Sequence, residues 1–524
     1  MVDHQGARTL SDHVPVSLEL VLKAEGAARR PRRSYFKLDF RTFMRVEVLE
    51  KSKGVWQDHP SWAKDKRKRW TLALGRIRKL LMEVREDDRR KEEVYGGPEQ
   101  RVETTRRRIE QDQSREAREE FEESVVAARR REQEQANQLR RRCKITWMKD
   151  GDAPSKYFFA RLKAKHAHEE LTALEGSSGE MIEDQEEILE EVHRFYQELY
   201  TAEEEPPEVL EKRRIVIGRI DKKLTPGDNT ILEEVPTEEL ITRIVMDMPK
   251  EKSPGLDGVM VEILRIGWEF MKEECFQMVQ GFWDKKKLVG KDNRWVIKLI
   301  PKNERKHLLQ NWRPITLLTT TYKIIAKINL SSKAEEHAPK DYRLPADGDT
   351  IFVKLDFMKA YDRVAHNFLW DTLTEMWVEQ DTLSRIKGLI EGGTSEVHVN
   401  GGFTEEIKMG RGVRQGCPLA HLLFAMTTQP LMRALQEEEC RGGIQGLNIG
   451  GGRRLLHQLF ADDTGICITA DERQFNRLKE MIRDFEVASG ASLNLQKSIV
   501  MQLRPGSTLR MVGAGGLRDR RSRE

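Results

Sequence analysis

The chain has 524 residues, of which 34% are charged and 38% hydrophobic, so it has room for two or three domains with much solvated helix or connecting segment. Its net charge of +4 is too small to announce a nucleic-acid partner, so such a role needs a local basic groove. No long apolar run or signal-peptide pattern is present, and the 5 cysteines fall at no metal-ligand spacing. These features exclude a helical membrane span and a zinc module, and lead us to expect a soluble intracellular chain with reduced thiols.

Residues 1–23 carry the stretch Ser11-Asp12-His13-Val14-Pro15-Val16. Residues 24–61 read as a linker that opens with a basic cluster, Arg29, Arg30, Arg32 and Arg33. From 62 to 142 the chain is dense in Arg, Lys and Glu with few apolar anchors, which predicts long exposed helices paired as a hairpin. Residues 143–234 form a helical region. In it, Trp147 to Phe159 interleaves aromatics with lysines, a texture equally suited to base stacking and to a helix–helix core. An acidic helix then runs to about Tyr200, and Glu203-Glu204-Glu205-Pro206-Pro207 reads as a linker, because Pro-Pro cannot continue a helix and three acids resist burial.

From residue 235 the pattern tightens. Thr237 is placed as an N-cap, Lys252 to Gly258 is a Gly/Pro/Asp loop, residues 259–283 have helical spacing, and Trp295 to Ile300 is strand-like. Ile351 to Leu355 is an apolar strand that stops on Asp356, and Asp462-Asp463 sits between two further β-type runs. Carboxylates at strand ends suit Mg²⁺, and three of them could hold two ions ~3.5–4 Å apart for an in-line phosphoryl transfer. Taken alone, the Asp-Asp pair also fits a hairpin turn with two acids at its tip.

Five more stretches complete the set. Arg411-Gly412-Val413-Arg414-Gln415-Gly416-Cys417-Pro418-Leu419 lies between the acids, and Ser489-Gly490-Ala491-Ser492-Leu493-Asn494-Leu495-Gln496-Lys497-Ser498 follows them. Upstream lie Lys252-Ser253-Pro254-Gly255-Leu256-Asp257-Gly258, and Leu299-Ile300-Pro301-Lys302 with Trp312-Arg313-Pro314-Ile315. With Leu355 to Val364 and Phe460-Ala461-Asp462-Asp463, these ordered motifs resemble the reverse transcriptase of LINE-type (non-LTR) retrotransposons, plant-like in texture. The resemblance implies an α/β right-hand polymerase palm at 346–505 with partial fingers at 235–345. Long charged α-helices would precede them, with the thumb absent and a disordered tail at 506–524.

The implied function is RNA-directed DNA polymerase of a LINE-like element, acting on an RNA template, a DNA primer and dNTPs with two Mg²⁺ ions, or Mn²⁺ in their place. Its expected setting is the nucleus or cytoplasm. By the same resemblance, Asp356 and Asp462 carry both ions and Asp463 is a weaker ligand, while Lys497 protonates the leaving pyrophosphate. Lys302 and Arg313 grip the triphosphate, Tyr361 gates the sugar, and Gln415 and Gly416 lie under nucleotide and template. Asp12 and His13 resemble the closing motif of the endonuclease domain that precedes such polymerases, a mark of ancestry rather than activity. The chain departs from the pattern in the short span between Leu330 and Ile351, and in the Gly-rich stretch Met511 to Gly516 that follows the palm. These departures carry the alternative expectation, a catalytically dead nucleic-acid-binding remnant.

Overall fold

Alternating apolar residues in Ile351-Phe352-Val353-Lys354-Leu355 make the Thr350–Asp356 strand the middle of a five-stranded sheet. The computed structural model describes residues 38–58, 63–143, 170–331, 350–450, 453–460, 463–502 and 518–519. In it the sheet runs His457–Phe460, Asp463–Thr469, Thr350–Asp356, Ile499–Gln502 and Arg518–Asp519. Every neighbouring pair is antiparallel except the last, which is parallel. Gly465 is required by packing, since a Cβ there would come within 2.7 Å of the Phe352 ring. The Ala420–Cys440 and Glu472–Ser489 helices pack together over this sheet. In the second helix Phe475, Leu478, Met481, Ile482 and Phe485 form the buried stripe. Asp471 caps its start by accepting from the Arg473 amide at 2.6 Å, and Gly490 ends it in the left-handed conformation.

A second sheet is built from Trp312–Leu317, Arg294–Pro301, Thr394–Val399 and Gly402–Phe403, with Ile407–Lys408 also paired to Thr394–Val399. Thr394–Val399 runs parallel to Arg294–Pro301. A strand from the stretch expected as palm therefore completes the sheet expected as fingers, and the boundary at 345/346 is not a boundary between sheets. Trp295 fills the middle of this assembly and is fully buried. Its ring lies so close to Gly393 that a Cβ there would sit 1.6 Å from it.

The structure corrects several expectations about the helical regions. Within the expected linker, Phe40–Met44 and Val46–Gln57 are helices that bury Phe43, Val48 and Trp56. Val48, Ser52 and Trp56 recur every fourth residue, a helix stripe hidden among charges. Three helices, not two, cover the charged stretch: Lys66–Tyr95, Pro98–Gln111 and Arg115–Cys143. The last two form the expected hairpin, laced by i,i+4 pairs such as Glu103–Arg107 and Arg115–Glu119. The first buries Trp70, Leu74, Ile77 and Leu81 in the main core, against the Trp268–Lys285 helix. Spacings of four, three and four residues supply that face, which the surrounding charge disguises.

The acidic segment before Pro206 is pinned rather than free. Buried Arg213 pairs with Glu205, Asn367 donates to Glu205 at 3.0 Å, and Arg411 pairs with Glu203. The Gln185–Tyr200 helix precedes it, and Pro207–Ile217 packs on the Glu472–Ser489 helix. Thr237 caps its helix, accepting from the Leu240 amide at 3.2 Å. Residues 259–283 divide into two helices, Val261–Ile266 and Trp268–Lys285, joined at Gly267. In the expected tail, Arg518 and Asp519 pair with Ile499 and Val500. Asp12, His13, the Trp147 to Phe159 stretch and residues 332–349 lie outside the described residues.

Candidate active site

The central ladder brings the strand-end acids together. Asp463 is the direct register partner of Asp356, so both backbones lie at the same end of adjacent strands. Asp462 lies outside the described residues, and of Asp463 only the backbone is described. The Gly490 to Lys497 segment is stitched onto the same strand end. Asn494 N–H donates to the Asp356 carbonyl at 2.7 Å and Met358 N–H to the Ser492 carbonyl at 2.7 Å. Asp356 N–H donates to the Ser498 hydroxyl at 3.1 Å. Lys497 leaves this turn exposed, its amide donating to the Asn494 carbonyl at 3.1 Å.

The Arg294–Pro301 and Trp312–Leu317 hairpin delivers the cations. Ile300 pairs with Arg313, and the Lys302 amide donates to the Asn311 carbonyl at 2.8 Å. The Lys302 ammonium donates to the Gln310 carbonyl at 3.0 Å. Partial burial and then the neighbouring charge of Lys497 pull the Lys302 ammonium below the usual lysine range, with Arg313 adding to the effect and Asp362 and Asp356 opposing it. Lys302, Arg313, Lys497, Asp356 and Asp362 therefore share one electrostatic field, although they come from three separate stretches of chain.

The Arg411 to Leu419 segment forms the floor between them. Thr316 N–H donates to the Gln415 carbonyl at 2.8 Å. Gly416 has φ +108°, and a Cβ there would lie 2.8 Å from the Thr316 carbonyl oxygen, so only glycine allows this approach. Arg414 is buried with its guanidinium 3.4 Å from the Trp295 ring centroid, and it donates to the Leu389 carbonyl at 3.2 Å and to that of Ile390. On the other side, Val413 N–H donates to the Tyr361 carbonyl at 2.8 Å. Tyr361 is itself buried, its hydroxyl 2.7 Å from His421 Nδ1 and its ring tilted against Phe424. His366 Nε2 lies 3.0 Å from the Gly412 carbonyl, and burial pushes its imidazole down to about 4, so it is a neutral donor at ordinary pH.

Two kinds of likeness bear on this geometry. The family described as reverse transcriptase (RNA-dependent DNA polymerase) matches residues 300–513, a span that runs from the Lys302 hairpin past Lys497. The Transposon TX1 uncharacterized 149 kDa protein of Xenopus laevis is 29% identical over 385 residues, 68% of this chain and 28% of its own. The Pol polyprotein of the type-1 retrotransposable element R2 of Popillia japonica is 27% identical over 225 residues, 38% of this chain and 31% of its own. This chain carries a LINE-type reverse transcriptase domain. It spans about a third or less of the length of those two relatives. A truncated apo telomerase from Candida tropicalis aligns over 48% of this chain and 68% of its own at 13% identity and TM-score 0.30, a likeness too loose to argue from. The fold of the matched span is a palm-like mixture of helices and sheet, as a reverse transcriptase domain requires.

Around this domain's acids the structure adds residues that the motifs did not single out. Asp362, one residue past Tyr361, is 2% exposed. It accepts from the Tyr200 hydroxyl at 3.0 Å and from Gln415 Nε2 at 2.9 Å. Burial pushes its carboxyl up to about 6, against the opposing charge of Lys359. Lys359 adopts φ +47°, a left-handed turn that side chains rarely take, and its ammonium lies 4.8 Å from the Phe195 ring centroid and 5.5 Å from that of Tyr196. Burial pushes that ammonium down to about 8. In the sequence Asp362 and Lys359 lie within the Leu355 to Val364 motif without a role of their own. Only the docking of Gln185–Tyr200 on this turn sets them apart.

As to metal, Asp356 at a strand end with Asp463 beside it supplies oxygen donors of the kind a hard divalent ion takes. No helix among the described residues is long and apolar enough to cross a membrane.

Proposed function

We propose that the chain catalyses RNA-templated DNA synthesis, extending a DNA primer with dNTPs inside the cell, in the nucleus or cytoplasm. The observation that carries this reading is the register match of Asp463 with Asp356 beside the Lys302, Arg313 and Lys497 charges. Asp356, Asp462 and Asp463 would hold two Mg²⁺ ions, for which Mn²⁺ can substitute. Such ions, when bound, acidify the primer 3′-hydroxyl and neutralise the triphosphate. Lys302 and Arg313 bind the triphosphate oxygens, a point charge just past the end of one strand and a planar fork on its neighbour. Lys497 holds the proton that the leaving pyrophosphate takes. Gln415 and Gly416 form the nucleotide floor, and the Tyr361 ring stands against the sugar, held by His421. The test is primer extension on an RNA template with purified protein, dNTPs and Mg²⁺ or Mn²⁺, beside Asp462→Ala/Asp463→Ala. Extension that disappears in the variant supports a polymerase. A folded wild type that shifts primer–template in a gel but extends nothing would overturn it in favour of a binding remnant.

A further inference from the structure

Asp362 has no role among the metal, triphosphate or sugar contacts, yet the chain keeps a carboxylate there at 2% exposure. Burying an acid costs free energy unless both oxygens are engaged. Both are: Oδ1 takes the Tyr200 hydroxyl at 3.0 Å and Oδ2 takes the Gln415 amide nitrogen at 2.9 Å. Tyr200 reaches this point because its helix is anchored. The Tyr200 carbonyl accepts from the Gly410 amide at 2.8 Å, and Arg411 Nε donates to the Leu199 carbonyl at 2.7 Å. The Gln415 backbone is pinned as well, through the Thr316 amide.

An ionised carboxylate only accepts hydrogen bonds, so it draws the NH₂ end of the Gln415 amide toward itself. The amide is planar, and its carbonyl oxygen is therefore turned away from Asp362. A primary amide left free would rotate and offer either end. We propose that Asp362, braced by Tyr200, is a positioning residue of the nucleotide site, fixing the Gln415 amide so that it offers an acceptor oxygen to a donor group of the incoming deoxynucleotide. This rests on the proposed polymerase reading of the site and names a residue pair that governs how that site holds its substrate.

The experiment separates binding from chemistry. Primer–template ending in a dideoxynucleotide is incubated with the full chain and the next correct dNTP, and the dNTP dissociation constant is read from the stabilised complex. Asp362→Asn is expected to weaken dNTP binding about tenfold, the scale of one charge-assisted hydrogen bond, with binding of primer–template alone unchanged. Tyr200→Phe, which keeps the ring and removes one donor, is expected to weaken it about threefold, and it serves if Asp362→Asn does not fold. In a Gln415→Ala background the Asp362→Asn effect should vanish, because the acid acts only through that amide.

Equal dNTP affinity in wild type and both single variants overturns the inference while leaving a polymerase intact. Full additivity of Asp362→Asn with Gln415→Ala overturns it too, since it would make Asp362 merely structural. A wild type that binds dNTP with this dependence but extends no ordinary primer overturns the polymerase reading and supports the positioning role. A wild type that binds no dNTP overturns both.

Discussion

Two pairs of aspartates in this molecule obey opposite rules. Asp356 and Asp463 are register partners at the same end of adjacent strands, and Asp356 is half-buried. Asp257 and Asp292 are buried at the floor of a cavity against the Lys66–Tyr95 helix, Asp292 accepting from the Thr319 hydroxyl at 2.6 Å and Asp257 from the Val259 amide at 3.2 Å. Burial pushes Asp257 up to about 6, and burial with the nearby Asp257 charge raises Asp292 to about 7. The same side chain thus sits half-buried at a strand end in one setting and almost fully buried in the other. Burial separates them, because taking a carboxylate out of water raises its pKa.

The largest effect that would sharpen this contrast is on the strand-end pair. Asp356→Ala should lower primer extension at least about a hundredfold while leaving the thermal midpoint nearly unchanged, since a half-exposed strand-end acid contributes little to folding. A large drop in midpoint would erase the distinction. Next, Lys302→Ala should raise the KM for dNTP about tenfold with a smaller change in kcat, as expected for lost triphosphate binding.

The buried pair should move stability instead. A folded pKa raised above the unfolded value gives stability that is fully present below about 4 and is lost as pH rises through about 7. Asp292→Asn should therefore gain on the order of 2 kcal/mol at pH 8 and show a flatter urea midpoint between pH 5 and 8, with extension retained. An unchanged pH profile would remove Asp292 from this contrast. The smallest effect is Thr319→Ala, which loses the hydroxyl that donates to Asp292 and accepts from the Tyr322 amide at 3.2 Å. It should cost about 1 kcal/mol, more at pH 8 than at pH 5, by the same denaturation assay.

The sequence disclosed the strand ends because strands announce themselves locally, through alternation along Ile351 to Leu355 and a stop on Asp356. It disclosed Thr237 for the same reason, a capping residue just before an apolar period. What stayed hidden was non-local. Tyr200 and Asp362 are 162 positions apart, and no local period links them. Arg414 is part of the Arg411 to Leu419 motif in the sequence, but nothing local shows that its guanidinium stacks on Trp295 in the core. The helix at Val46–Gln57 was masked by composition, since Val48 and Trp56 are scattered among charged neighbours. The roles assigned to Asp12 and His13 rest on resemblance, and those residues lie outside the described part of the chain.

The strand Thr394–Val399, which crosses from the palm stretch into the other sheet, bears on how this protein can be divided in the laboratory. A cut at 345/346 would leave Arg294–Pro301 with an unpaired edge on one fragment and Thr394–Val399 without its parallel partner on the other. Neither half would be a folding unit, and co-expressed halves should be recovered only as a pair. Truncations meant to isolate the polymerase core should therefore keep residues from Arg294 onward together with the palm.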